Sequence, residues 1–225
     1  MRMAGGSMNS IIEENGLSFM LHHSTREATI LRYRLSSDIL NIPEYVSGYK
    51  VTAIADNAFE LNEGLHVVVL PSTLEHIGMY AFCGSSVEEV MIKSDGTRLQ
   101  IGECAFSGCF MLTTIQLPSE TFLEGSYVFA YCNNLKNIDS CNIKSNIFAY
   151  TFLNCSSLKF FQICQNNMRI AHTAFHGVTL GMLSVHANFQ FEPDFLDSIQ
   201  DADIVCYNTS CLSDLAYDGF QIRHK

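Results

Sequence analysis

Cys109, Cys132 and Cys155 stand 23 residues apart, and each follows a phenylalanine by three positions. Thiols at a fixed interval have three uses: they bind a metal, pair as disulfides, or pack as small buried side chains. The chain has no Cys-x-x-Cys pair, the arrangement that brings two thiolates to one zinc. Residues one repeat apart on a stack of coils would lie about 5 Å from one another, within disulfide reach. The nine cysteines are an odd number, however, and do not suit a fully paired framework. Free cysteine is habitually buried and behaves as a small apolar residue. The reading is therefore a ladder of reduced, buried thiols. His172 and His176 have the four-residue spacing of two ligands on one helical face, but Thr173 stands where a zincin carries its glutamate. No third ligand is near. His22 and His23 read as surface residues. No glycine-rich phosphate loop occurs, and no Ser, Cys or carboxylate sits in a catalytic phrase. The sequence thus predicts no catalytic, metal-binding or cofactor-binding residues and a protein that is not an enzyme.

The charge balance narrows the partners further. Thirteen Lys and Arg stand against 23 Asp and Glu, for a net charge of -10 and a pI near 5.1. The basic residues form no run, which disfavours nucleic acid and anionic membrane surfaces. No apolar stretch reaches the roughly 18 residues of a membrane span, so no membrane insertion is expected. Apolar residues make up 48% of the chain and charged residues 16%, ample for a core. Met1–Gly16 lacks the apolar segment of a secretory signal. Met1–Ser7 reads as a linker ahead of Met8, and residues 1–16 are expected to be disordered or added. That makes the chain cytoplasmic as it stands, and cell-surface or secreted if a signal precedes it.

What must position these side chains is a repeat. Phe59, Phe82, Phe106, Phe129, Phe152 and Phe175 follow one another at intervals of 23, 24, 23, 23 and 23 residues. A fixed period in this range marks a solenoid. Five positions before the ring stands Ile54, Ile77, Ile101, Ile147 or Ile170; the unit of Phe129 has Leu123 instead, at six. A small residue adjoins the ring (Ala58, Ala81, Ala105, Ala174), replaced by Val128 and Thr151 in two units. A strand follows, with inward positions Val68 and Leu70, Val90 and Ile92, Ile115 and Leu117, Phe161 and Ile163, Leu183 and Val185. Its alternation of period two buries one face and opens the other. Ile138 with Ser140 is the weakest member. Pro71 and Pro118 end their strands.

Residues 17–43 read as an N-terminal cap, with a hairpin from the segments around Leu17–Leu21 and Ala28–Tyr33. Residues 44–186 are the repeats, with a small insertion at Ser94–Arg98. Residues 187–225 form a C-terminal cap: a short helix at Pro193–Ile199, a strand at Ile204–Tyr207, and a helix from Ser210 to a stop at Gly219.

The phrase Ile101-Gly102-Glu103-Cys104-Ala105-Phe106 through Pro118 resembles the BspA-like leucine-rich repeat family, with its Ile-Gly-x-x-Ala-Phe-x-x-Cys-x-x-Leu-x-x-Ile-x-Ile-Pro pattern. Ile77–Phe82 fits too, although Cys83 sits beside its ring. Ala149–Ile163 fits with Thr151 for alanine. The resemblance extends from about Leu17 to Ile222. It implies a single leucine-rich repeat domain of α/β type over 17–225. The implied form is a curved right-handed superhelix, with a parallel sheet on one face and short turns, strands or helical pieces on the other. It also implies a non-enzymatic protein-protein interaction module, bacterial, engaged in adhesion or in binding host or matrix proteins. An intracellular scaffold is the alternative within the fold, and an enzyme or glycan-processing accessory built on the solenoid is the alternative outside it.

The surface left for a protein partner is the open strand face. Its residues are Val67 and Val69, Glu89 and Met91, Thr114 and Gln116, Asn137 and Asp139, Phe160 and Gln162, Met182 and Ser184. None is Lys or Arg. Val67, Val69 and Met91 make one apolar group, and Phe160 with Met182 another.

Overall fold

The computed structural model describes residues 9–35, 37–93, 96, 98–192, 194–195, 199, 202–207 and 222–224. The chain begins with an antiparallel meander, β1 (Ser10–Glu14), β2 (Leu17–His22) and β3 (Glu27–Tyr33). The expected hairpin is thus present. The cap starts at Ser10, however, and not at Leu17. Ile12 lies opposite Phe19, and its side chain packs against the core, which is enough to hold the segment as a strand.

From β3 onward the chain winds as a parallel β-solenoid of about eight turns. The coils continue through β4 (Ile39–Asn41), β5 (Tyr45–Val46), β6 (Tyr49–Ile54), β7 (Val67–Leu70) and β8 (His76–Ile77). Then come β9 (Glu89–Ile92), β10 (Arg98–Gly102), β11 (Thr114–Ile115), β12 (Glu120–Glu124) and β13 (Asn137–Ile138). The last are β14 (Phe160–Ile163), β15 (Met168–Ile170), β16 (Met182–Val185), β17 (Phe189–Phe191), β18 (Asp203–Cys206) and β19 (Ile222–His224).

Two sheets run along the coils. One has the order β1-β2-β3-β6-β8-β10-β12, with β5 on β6; the other has the order β13-β11-β9-β7-β4. Beyond them lie a four-stranded sheet, β14-β16-β18-β19, and the pair β15-β17. The parallel pairing therefore continues past Val185, where the sequence period fails. Phe195 follows Phe175 at a ring distance of 6.3 Å and carries the core onward. Helix is nearly absent among the described residues: a 3-10 turn at Ser140–Asn142 stands out. The expected terminal helix at Ser210–Gly219 lies outside the described residues, as do most of Pro193–Ile199 and of the Ser94–Arg98 insertion.

The six repeat rings stack in one buried column, with centroids 4.7, 5.1, 5.5, 5.7 and 5.2 Å apart and planes within 13° of parallel. Spacing near the interstrand distance lets each ring contact the next face, adding attraction beyond simple burial. The turn around each ring has no strand but is still laddered: Phe82 N–H donates to Ala105 O at 2.7 Å, and Phe106 N–H to Val128 O at 2.9 Å. The residue two before the ring adopts a left-handed φ of 55–60° at Asn57, Tyr80, Cys104, Tyr127 and Tyr150. Such values are uncommon for bulky side chains; the rung bonds on either side hold them. The glycine of the Ile-Gly phrase has a different cause. A Cβ on Gly102 would lie 2.9 Å from Gly78 C and Met79 N, because the coils touch backbone to backbone there.

Candidate interaction face

The thiol ladder sits just beyond the ring column. Cys109, Cys132 and Cys155 are fully buried and free. Each donates its S–H to the carbonyl of the ring residue one coil back: Phe82 O at 3.0 Å, Phe106 O at 3.1 Å and Phe129 O at 3.0 Å. Burial pushes the Cys155 thiol up to about 12 and the Cys132 thiol well above its ordinary 9.0. Cys132 and Cys155 are thus neutral donors, and all three thiols are reduced and buried, as the sequence predicts. Two other cysteines depart from the all-reduced reading. Cys141 and Cys164 are joined as a disulfide, with Cα atoms 5.0 Å apart. They too are 23 residues apart, which places them side by side on neighbouring coils; but they follow the strands rather than the rings, where nothing buries them deeply.

The two histidines do not converge. His172 Nδ1 lies 2.9 Å from Glu192, and this hydrogen bond holds the Glu192 carboxyl below its ordinary value. His176 stands edge-on to Tyr150. Among the described residues no group of three His, Cys, Asp or Glu is placed to hold a metal. No helix of the described residues is long and apolar enough to cross a membrane.

The strand face carries the predicted residues in rows. Val67, Glu89, Thr114 and Asn137 are successive register partners across β7, β9, β11 and β13, and Val69 pairs with Met91. Phe160 pairs with Met182, and Gln162 with Ser184. Both apolar groups are thus contiguous. The face extends one strand further than the sequence reading: Ile39, which is 57% exposed, is the partner of Val67, and Asn41 of Val69. The Ile39–Pro43 strand signal could have supplied both, had its outward positions been counted. Ser184 is a correction. It is only 3% exposed, because its hydroxyl bonds His186 at 2.8 Å and His186 stacks on Tyr207 at 4.4 Å. Gln116 lies beyond the end of β11 and is exposed, its N–H donating to Val90 O. Phe110 and Met111, exposed at a coil corner, were not anticipated. Nothing in the period distinguishes their positions from those of other coils.

The expected single sheet is broken. β13 ends at Ile138, and the chain turns through the 3-10 segment instead of pairing onward with β14. At the break Gln162 N–H donates to Ser140 Oγ at 2.9 Å, so a side-chain hydroxyl replaces a ladder carbonyl. A groove of about 280 Å³ opens there, lined by Asn137, Asp139, Phe160 and Gln162 among others.

The family model for the BspA type leucine rich repeat region matches six copies over residues 52–181. The chain belongs to the BspA-type leucine-rich repeat family. Solved structures agree with the fold. A leucine-rich repeat protein of T. pallidum is similar with a TM-score of 0.70 at 21% identity, over 95% of this chain and 98% of that one. A leucine rich cell surface protein of Faecalibacterium prausnitzii A2-165 gives 0.65 at 21% identity, over 98% of this chain. The pneumococcal vaccine antigen PcpA gives 0.55 at 20% identity, over 87% of this chain. This chain spans 56% of the Faecalibacterium protein and 50% of the pneumococcal one. A search of curated proteins finds no match. At such identities the likeness concerns the fold, a leucine-rich repeat solenoid of the kind that generally serves interaction rather than catalysis.

Proposed function

We propose that the protein is a non-enzymatic binding module whose protein partner docks on the open strand face. The observation that carries this reading is the in-register apolar group Ile39, Val67, Val69 and Met91 on three adjacent strands. Uncharged side chains lose little on desolvation and suit the centre of an interface. Glu89 beside them and Asp139 at the edge of the same sheet orient the partner more than they add affinity. Phe160 and Met182 supply a second anchor on the far side of the break.

The role in view is adhesion, or binding of host or matrix proteins, by a bacterial cell-surface protein. Two observations support the location. One solved relative is described as a cell surface protein, and the Cys141–Cys164 disulfide suits an oxidising compartment rather than a reducing cytoplasm.

The test is capture of partners from a host-matrix extract, with two variants. Val69→Glu with Met91→Glu places charge at the centre of the face and should abolish capture while leaving the circular dichroism spectrum unchanged. Glu60→Lys with Glu120→Lys changes exposed charges away from that face and should leave capture intact. Loss in the second variant, with retention in the first, moves the site off the strand face and ends this assignment.

A further inference from the structure

We propose that the groove at the sheet break is a carbohydrate subsite that takes a neutral pyranose ring. The break itself forms the groove. β13 stops after two residues, and the 3-10 turn lifts Cys141 and Asn142 as a wall where neighbouring coils carry a strand. Phe160 stands 43% exposed on the other side and, among the described residues, stacks on no other ring. Its exposed surface gives the groove an apolar wall of the size of one sugar ring, suited to the C–H face of a pyranose.

The polar groups around this wall define the ligand. Asp139 is the N-cap residue of the 3-10 turn yet makes no side-chain bond to it. Among the described residues, neither its carboxylate nor the side chains of Asn137 and Lys136 have a hydrogen-bond or ion-pair partner. Asn142 donates its amide to Leu117 O at 2.7 Å, which fixes the side chain and leaves its carbonyl as an acceptor. The groove therefore offers a pure acceptor in Asp139, a pure donor in Lys136, and amides that do both. A cation would meet Lys136, and an anion would meet Asp139. An apolar group would strip water from a carboxylate with no replacement. A hydroxyl both donates and accepts, so a ring bearing several neutral hydroxyls satisfies all of these groups at once. The volume of about 280 Å³ lies below the range of drug-sized pockets, roughly 300–1,000 Å³, and suits one sugar ring with the rest of a glycan running out along the open face.

The experiment is saturation-transfer NMR on the intact protein with methyl glycosides of glucose, galactose, mannose and N-acetylglucosamine. N-acetylargininamide is the competing cationic probe. The expected result is transfer to the ring protons of at least one glycoside. Phe160→Ala and Asp139→Ala, both at exposed positions, should each weaken that binding by about tenfold or more while the fold is retained. Silence from all four glycosides overturns the proposal, whether or not the arginine probe binds. Transfer that survives both substitutions overturns it as well. The Val69→Glu, Met91→Glu variant separates this inference from the protein-binding reading. It should lose the protein partner and keep the glycoside; Phe160 and Asp139 serve both readings, so this variant, not Phe160→Ala or Asp139→Ala, tells them apart.

Discussion

The Phe106 ring lies between Phe82 at 5.1 Å and Phe129 at 5.5 Å, and none of the three is accessible to solvent. Backbone rungs above and below fix the coils, so neighbouring side chains cannot collapse into a void at this place. Phe106→Ala should therefore cost about 3–5 kcal/mol of stability, the range for emptying a buried ring site; an unchanged urea midpoint would contradict the column. The thiols beside it make a second prediction. Cys132 and Cys155 ionise near 9.0 when exposed and much higher when buried. A raised folded-state value means that the fold holds its proton more tightly than the unfolded chain. The Cys155 contribution is thus complete below about pH 9 and falls as pH rises toward 12, by up to about 1.4 kcal/mol per pH unit, and Cys132 adds a loss of the same sign. Urea denaturation across that window should show the decline, and Cys155→Ala should make it shallower. The ladder was legible because its spacing matches that of the rings. The carbonyl that each thiol bonds was not, since a three-residue offset does not show which rung a side chain reaches.

At the scale of the element, the coil from Asn137 to Ile143 is the irregular one. Its sequence signal was visible: Ser140 occupies a position that is apolar in most other strands. That weakness marked the place where the parallel pairing stops, but its consequence could not be read. A polar inward residue can end a strand, bend it or be tolerated, and only the neighbouring Gln162 N–H decides which. The disulfide was hidden for a different reason. An odd cysteine count rules out complete pairing, but it leaves a single pair free to form. Cys141→Ser removes a cross-link closing a loop of 23 residues, and should lower stability by about 3 kcal/mol on the chain-entropy account. Equal stability with and without reductant would mean that the bridge contributes nothing.

At the scale of the whole molecule, the period alone gives the solenoid, because every coil repeats one ring, one small residue and one alternating strand. The ends were harder to read. β1 and the coils beyond Val185 carry no ring at the 23-residue interval, yet they stack by register with the neighbouring strands. The open face was legible up to Ile39, and it failed at Ser184, where His186 and Tyr207 arrive from outside the repeat phrase. The interruption at Ile138 also bears on cooperativity. In a stack where each coil touches only its neighbours, stability is a sum of coil and junction terms. The junction between the five-stranded and four-stranded sheets lacks its strand pairing, though the ring column crosses it at Phe129–Phe152. The chain should accordingly open as two units, with the disulfide as the clasp between them. After reduction, native-state hydrogen exchange should release the amides of β14, β16 and β18 together, before those of β7, β9 and β11. With the clasp closed, the two sets should exchange as one.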